Sequence, residues 1–348
     1  MNILTTFSRI SSLHFACLAA LLLTACASQP QVTSTEPLPV WPAPPEAPRI
    51  AYIQSISQPE DLGINKGFFT KIYEFVVGSS DLRLIRPMAV IVTADGTIYV
   101  ADPGSHGVHK FDIRQKQHSL IQRKDDQPLP SPVGLAIGSE GDVYVSDSAL
   151  GEVFVIKTDA KTAIPLLLEK PVPQPTGIAF DSAGKRLYIV DTSGHQIRIV
   201  SADGKQLSAF GRRGNGNGEF NFPTMIWRDK DGRLYVTDSL NFRVQIFDSE
   251  GHFLGLFGRH GDATGDLSHP KGITTDRSGH VYVTDSMHHA LQIFNRDGDV
   301  LLSIGSRGRG PGEFWLPAGA FMTDDDHLYI ADSYNQRIQA FKYMGDKP

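Results

Sequence analysis

One repeat constrains this chain more than any other feature. The stretch at 223–247, P-T-M-I-W-R-D-K-D-G-R-L-Y-V-T-D-S-L-N-F-R-V-Q-I-F, reads as three short strands. The first leads into a turn at Asp231-Gly232. The second, 233–237, alternates apolar and polar residues and ends at Asp238, and a polar loop through Asn241 leads to the third at 243–247. The pattern recurs. Pro87, Pro132, Pro175, Pro223, Pro270 and Pro317 each open a unit. Each unit then carries Tyr-(Val/Ile)-x-Asp, ending at Asp102, Asp147, Asp191, Asp238, Asp285 and Asp332, spaced 45, 44, 47, 47 and 47 residues apart. A period of that size with three or four strands per unit is the mark of a β-propeller, and six copies predict an all-β, six-bladed one.

Blades bury their faces only against one another, so the repeat overrides the two domains that 348 residues would suggest by length. A 41% hydrophobic, 20% charged composition is ordinary for a soluble globular chain, and the formal net charge of −5 argues against nucleic acid as a partner.

The N-terminus carries separate information. Arg9 precedes an apolar run at 15–23 that is too short to span a bilayer. Leu23-Thr24-Ala25-Cys26 then resembles the lipobox of bacterial lipoproteins. That resemblance implies a signal peptide at 1–25, lipidation of Cys26 and anchoring in the bacterial envelope. With no Asp after Cys26, it further implies an outer-membrane site facing the periplasm. Cys17 falls within the expected leader, leaving no mature thiol for a disulfide or for catalysis. Seven prolines in 27–48 predict a lipidated, extended tether over 26–48, leaving 49–348 for the propeller.

The sixth unit runs out soon after its third strand, 337–343. The alternating run at 50–56 is therefore expected to supply the missing outer strand and close the ring. Phe68, Phe69, Ile72, Phe75 and Val76 share one face of a short helix near 66–77. In four units a glycine follows the opening proline by two residues, at Gly134, Gly177, Gly272 and Gly319, where inner strands crowd the axis. In the first two units, 115–127 and 161–174 read as long, charged or Pro-rich connections rather than regular ones.

The run Y-V-T-D-S-L-N-F-R-V-Q-I-F-D, followed by F-G-R-x-G and G-E-F-x-x-P, resembles the NHL repeat, most clearly at 222–257 and 270–304 and overall across 86–343. The resemblance implies the six-bladed fold but spans lyases, receptor ectodomains, RNA binders and scaffolds, so function must come from the site. The peptidylglycine α-amidating lyase shares the fold, and its resemblance implies zinc histidines directly after the blade-opening prolines. Here those positions hold Met88, Val133, Thr176, Thr224, Lys271 and Ala318, so that metal site does not carry over.

Three sets of residues remain. The repeat aspartates end a strand before a tight loop, where a carboxylate accepts backbone N–H bonds. Arg212, Arg213, Arg259, Arg307 and Arg309 fall in the Gly-rich connections after blades 3, 4 and 5. Those connections lack the following helix that a phosphate loop needs. Either the arginines pair with neighbouring Glu219, Asp262, Asp266 and Glu313, or they form an arc that recognises anions. His106, His195 and His289 each follow a repeat aspartate by four residues in alternate blades. They are candidate ligands for zinc, with calcium the other cation considered, or else local packing residues. The expectation is an envelope-anchored binding or scaffold module. Its partner would be an envelope protein, peptide or anionic glycan met by the loop-bearing face. The alternative is a metal-dependent lyase or hydrolase with its site in the central channel.

Overall fold

The computed structural model describes residues 37–64 and 82–345. The expected leader, Cys26 and the expected helix at 66–77 lie outside those residues. Within them the chain is a six-bladed β-propeller.

The six opening prolines and six aspartates do what their spacing predicts. Blade 4 is typical: Pro223–Arg228 runs innermost, Leu234–Asp238 and Arg243–Phe247 follow, and Phe253–Phe257 is outermost. All three pairings are antiparallel. The ladder register shifts between Pro223 and Ile226, as it does at the same place in blades 2, 3, 5 and 6. Proline has no N–H to give the ladder, and the bulge turns the inner strand toward the axis.

That turn brings adjacent inner strands into backbone contact. A Cβ on Gly272 would stand 2.2 Å from the carbonyl oxygen of Ala318, and one on Gly134 2.1 Å from that of Thr176. Only a residue without a side chain fits. Hydroxyls then tie blade to blade. Thr237 Oγ1 accepts from the Met225 N–H and donates to the Lys271 carbonyl in the next blade, and Ser239 Oγ donates to the Pro270 carbonyl.

The core is divided accordingly. Six clusters of buried apolar side chains lie one at each blade–blade boundary, including one between blades 6 and 1 built on Val90, Val100, Phe111, Ala331 and Ile338. Each blade thus buries both faces, and the ring is continuous.

Ring closure follows the expectation. Ile50–Ile56 pairs antiparallel with Arg337–Tyr343, from Ile50 opposite Tyr343 to Ile56 opposite Ile338. Two features depart from the sequence reading. The expected tether does not extend to residue 48, because Val40–Trp41 pairs with Ala51 and Ile50 as a fifth strand of the last blade. Trp41 has a planar apolar surface to bury and packs edge-on against Phe341, with ring centroids 6.0 Å apart. The irregular stretches of blades 1 and 2 are also not mere connections. They contain the outer strands Gln117–Arg123 and Thr162–Leu166, which pair in parallel and join the two blades into one eight-stranded sheet. Pro165 is tolerated because it sits near the end of an outer strand.

Candidate functional site

Loops after the second strands and connections between blades share one face of the propeller, and the repeat aspartates, the five connection arginines and the three histidines lie on it. The repeat aspartates are wholly buried or nearly so. Asp285 accepts N–H bonds from Ser268, His269, Met287 and His288. Asp102 similarly accepts from Ile85, Arg86, Gly104 and Ser105. Asp102, Asp147, Asp238, Asp285 and Asp332 each staple their own loop to the segment that enters the blade.

In blades 4 and 6 the staple includes an arginine that sequence reasoning passed over. Arg243 Nε donates to Asp238 Oδ2 at 2.8 Å, and its other nitrogens reach the carbonyls of Asn215, Gly216 and Glu219. Arg337 repeats this with Asp332 and the carbonyls of Arg309, Gly310 and Glu313. Gln245 and Gln339 complete the two networks. The Gly-rich connections are thus moulded round a buried guanidinium, whose fixed fork of donors suits several carbonyls at once.

The five surface arginines divide. Arg212 pairs with Glu219 at 2.7 Å and Arg259 with Asp266 at 2.7 Å. Arg307 and Arg309 instead stand over the Trp315 ring, 5.4 and 5.8 Å from its centroid. Arg213 is exposed, and among the described residues no carboxylate forms an ion pair with Arg213, Arg307 or Arg309.

The histidines do not form a metal tripod. His106, His195 and His289 occupy the last position of the loop, where φ is 54°, 52° and 53°. In the other blades that left-handed position holds Gly151, Phe242 and Gln336. Histidine is among the residues that tolerate it, so the turn accounts for the spacing. His195 Nδ1 accepts the Phe222 N–H at 3.1 Å and His289 Nδ1 accepts the Leu316 N–H at 3.2 Å, while His106 is exposed in another blade. Among the described residues no three His, Cys, Asp or Glu side chains are grouped so as to hold a metal ion.

Two features of this face were legible only by aligning the repeats. The second residue after the aspartate is Gly104, Ala149 and Ser193 in blades 1 to 3, but Leu240, Met287 and Tyr334 in blades 4 to 6. Those three are 40%, 60% and 51% exposed, and Phe222 beside them is 39% exposed. Trp315 packs 5.7 Å from Tyr334. An apolar arc therefore covers adjacent blades 4, 5 and 6, with Arg213, Arg307 and Arg309 on its rim. Nearer the axis, Lys271 holds the position after the opening proline. It is the one charged residue among the six there. Burial and the charge of Arg86 hold its amine below the usual lysine range, and burial followed by Lys271 lowers His269.

The opposite face, carrying the turns between first and second strands, opens into a cavity of about 820 Å³ along the channel. Trp227 and Phe321 meet edge to face in its wall at 5.7 Å, and Trp227 Nε1 donates to Thr275 Oγ1. Asp276 in the lining accepts from its own turn and from the His280 ring and Tyr282 hydroxyl.

Comparison with known proteins agrees with this architecture. A family model described as a 6-bladed beta-propeller matches residues 177–255 and 273–346. No curated protein matches the sequence. Among solved structures, an auxiliary nutrient binding protein from Bacteroides thetaiotaomicron VPI-5482 is similar over 76% of this chain and 71% of its own, at 11% identity and a TM-score of 0.61. A streptogramin B lyase is similar over 74% and 94%, at 14% identity and a TM-score of 0.56. Virginiamycin B lyase from Staphylococcus aureus follows at 15% identity and 0.54 over the same shares. At such identities the likeness is one of fold.

Proposed function

We propose that this six-bladed β-propeller is a binding module that takes a peptide segment of an envelope protein, apolar at its centre and acidic at its flanks, across the aspartate-bearing face of blades 4 to 6. One observation carries the reading. Side chains that would be small or polar by the pattern of blades 1 to 3 are exposed and apolar at Leu240, Met287 and Tyr334, and arginines without carboxylate partners border them. Exposed apolar residues at the centre with arginine and aromatic groups around them are the composition of a protein-binding patch. The polar groups below are committed to the fold, so the patch has a rigid floor and loses little order on binding.

The lipobox at 23–26 extends the proposal to location: a propeller held at the bacterial envelope through Cys26 and turned toward the periplasm. Because Val40–Trp41 is part of the last blade, only residues 27–39 separate it from the anchor. At roughly 3.5 Å per extended residue they reach at most ~45 Å, which confines partners to those near the membrane.

Selection from a displayed library of random peptides on the full chain tests the reading. Enriched sequences should combine acidic with aromatic or aliphatic residues, and Met287→Asp with Tyr334→Asp should abolish their binding while Arg213→Glu weakens it. Enrichment indifferent to all three would contradict it. A second reading rests on the cavity beyond Trp227 and Phe321, whose size and aromatic wall fit a small ligand.

A further inference from the structure

The mouth of the channel on the aspartate face has a chemistry that the apolar arc does not explain. The innermost ring, one residue past each opening proline, is Met88, Val133, Thr176, Thr224, Lys271 and Ala318. A cation is expensive to withdraw from water, and Lys271 is half-buried there. Among the described residues no carboxylate pairs with it, and the charge acting on its amine is that of Arg86, another cation. Arg86 precedes Pro87 and is exposed; His269 precedes Pro270 and feels Lys271 in turn. Lys271 follows the opening proline of blade 5 while His269 and Arg86 directly precede those of blades 5 and 1, so three basic residues stand where inner strands begin beside the axis. Between those blades, blade 6 contributes only the buried methyl of Ala318, which brings no charge to the ring.

The nearest acid does not neutralise them. Asp285 draws on His269 but is wholly buried and already accepts N–H bonds from four residues. The backbone beneath the cations is fixed. The carbonyls of His269, Pro270 and Lys271 accept, in turn, from Ser286 Oγ, Ser239 Oγ and Thr237 Oγ1. Blades 4 and 5 together hold this segment in place, so the lysine stem starts from a rigid position.

We infer that this axial mouth is an anion subsite, in which Lys271, Arg86 and His269 take a carboxylate of the peptide bound across blades 4 to 6. The inference rests on the peptide-binding reading for its ligand, though not for the subsite. Phe222 and Leu316 hold the position before the opening proline in blades 4 and 6, as His269 and Arg86 do in blades 5 and 1, and the loops of Leu240, Met287 and Tyr334 share this face. A peptide lying across it would meet these cations and the surface arginines, with apolar side chains between. The carboxylate is either the C-terminus or an acidic side chain.

Two measurements on the full chain test this. In the first, a selected peptide is compared with its C-terminally amidated form and its Asp/Glu→Asn/Gln forms, on wild type and on Lys271→Met. Lys271→Met should weaken the parent peptide about ten-fold or more, the size of one charge-assisted hydrogen bond. The form lacking the bound carboxylate should lose nothing further on that variant, and which form this is identifies the source. Lys271→Arg should retain binding. Independent, multiplicative losses would overturn the assignment. The second needs no peptide. The acylation rate of Lys271 Nζ by acetic anhydride is followed by mass spectrometry, with acetate or inorganic phosphate against chloride at equal ionic strength and Lys205 as the exposed control. Slower labelling of Lys271 alone supports the subsite even if the library yields no binder, in which case only the peptide reading falls. Equal labelling overturns the subsite.

Discussion

Arg243 and Arg213 lie on the same side of the same blade boundary and meet opposite fates. Arg243 is buried, bonded to Asp238 and to three carbonyls of the connection that contains Arg213. Arg213 stands on the outside of that connection, and among the described residues no acid pairs with it. The same contrast separates Asp332, wholly buried and saturated, from Tyr334 two residues later, half exposed over Trp315. The difference teaches how the fold provides a surface. A lower layer of buried carboxylates, joined in blades 4 and 6 by an arginine, pins the loops, and the side chains above it are free to vary.

The largest effect should come from breaking the lower layer. Asp332→Ala leaves Arg337 buried without its carboxylate and should cost about 3–5 kcal/mol, read as a lower denaturant midpoint or loss of soluble protein. Gly272→Ala forces a Cβ onto the Ala318 carbonyl and should cost on the order of 1–3 kcal/mol in the same measurement.

A pH titration sharpens the comparison within the lower layer. His109 stands in blade 1 seven residues after Asp102, where blades 4 and 6 have Gln245 and Gln339. Burial pushes its imidazole down to about 4, against the partial pull of Asp102. The unfolded chain therefore takes up this proton first. Stability from His109 is complete above about pH 6.5 and is lost as pH falls toward 4, by on the order of 3 kcal/mol. His109→Leu should flatten stability over that window, and an unchanged slope would place the acid sensitivity elsewhere.

The smallest effect on stability belongs to the upper layer. Arg213→Glu and Arg307→Glu should each leave the midpoint within about 0.5 kcal/mol of wild type. A loss as large as that of Asp332→Ala would erase the distinction between layers.

Much of the lower layer was legible in the sequence, because its elements are local and repeated. Proline and the Tyr-x-x-Asp end mark two strands of every blade, and the alternating run at 50–56 reads as the strand that pairs with 337–343. Arg243 and Arg337 were not legible as clamps, since the carbonyls they hold lie 24 to 28 residues back. Nor were the outer strands of blades 1 and 2, where charge and Pro165 conceal the alternation. The three histidines misled for a physical reason: a left-handed loop position and a metal ligand both favour His, and spacing alone does not separate them. The upper layer departs from the repeat at Leu240, Met287 and Tyr334, and becomes visible only when each blade is read against the others.

The account's central claim is that ligand meets the aspartate-bearing face of blades 4 to 6. Hydroxyl-radical footprinting of the full chain with and without a selected peptide tests it most directly. The account predicts protection of Leu240, Met287, Trp315 and Tyr334, with Trp227 and Phe321 unchanged. Protection of Trp227 and Phe321 alone would place binding in the cavity on the opposite face and contradict it.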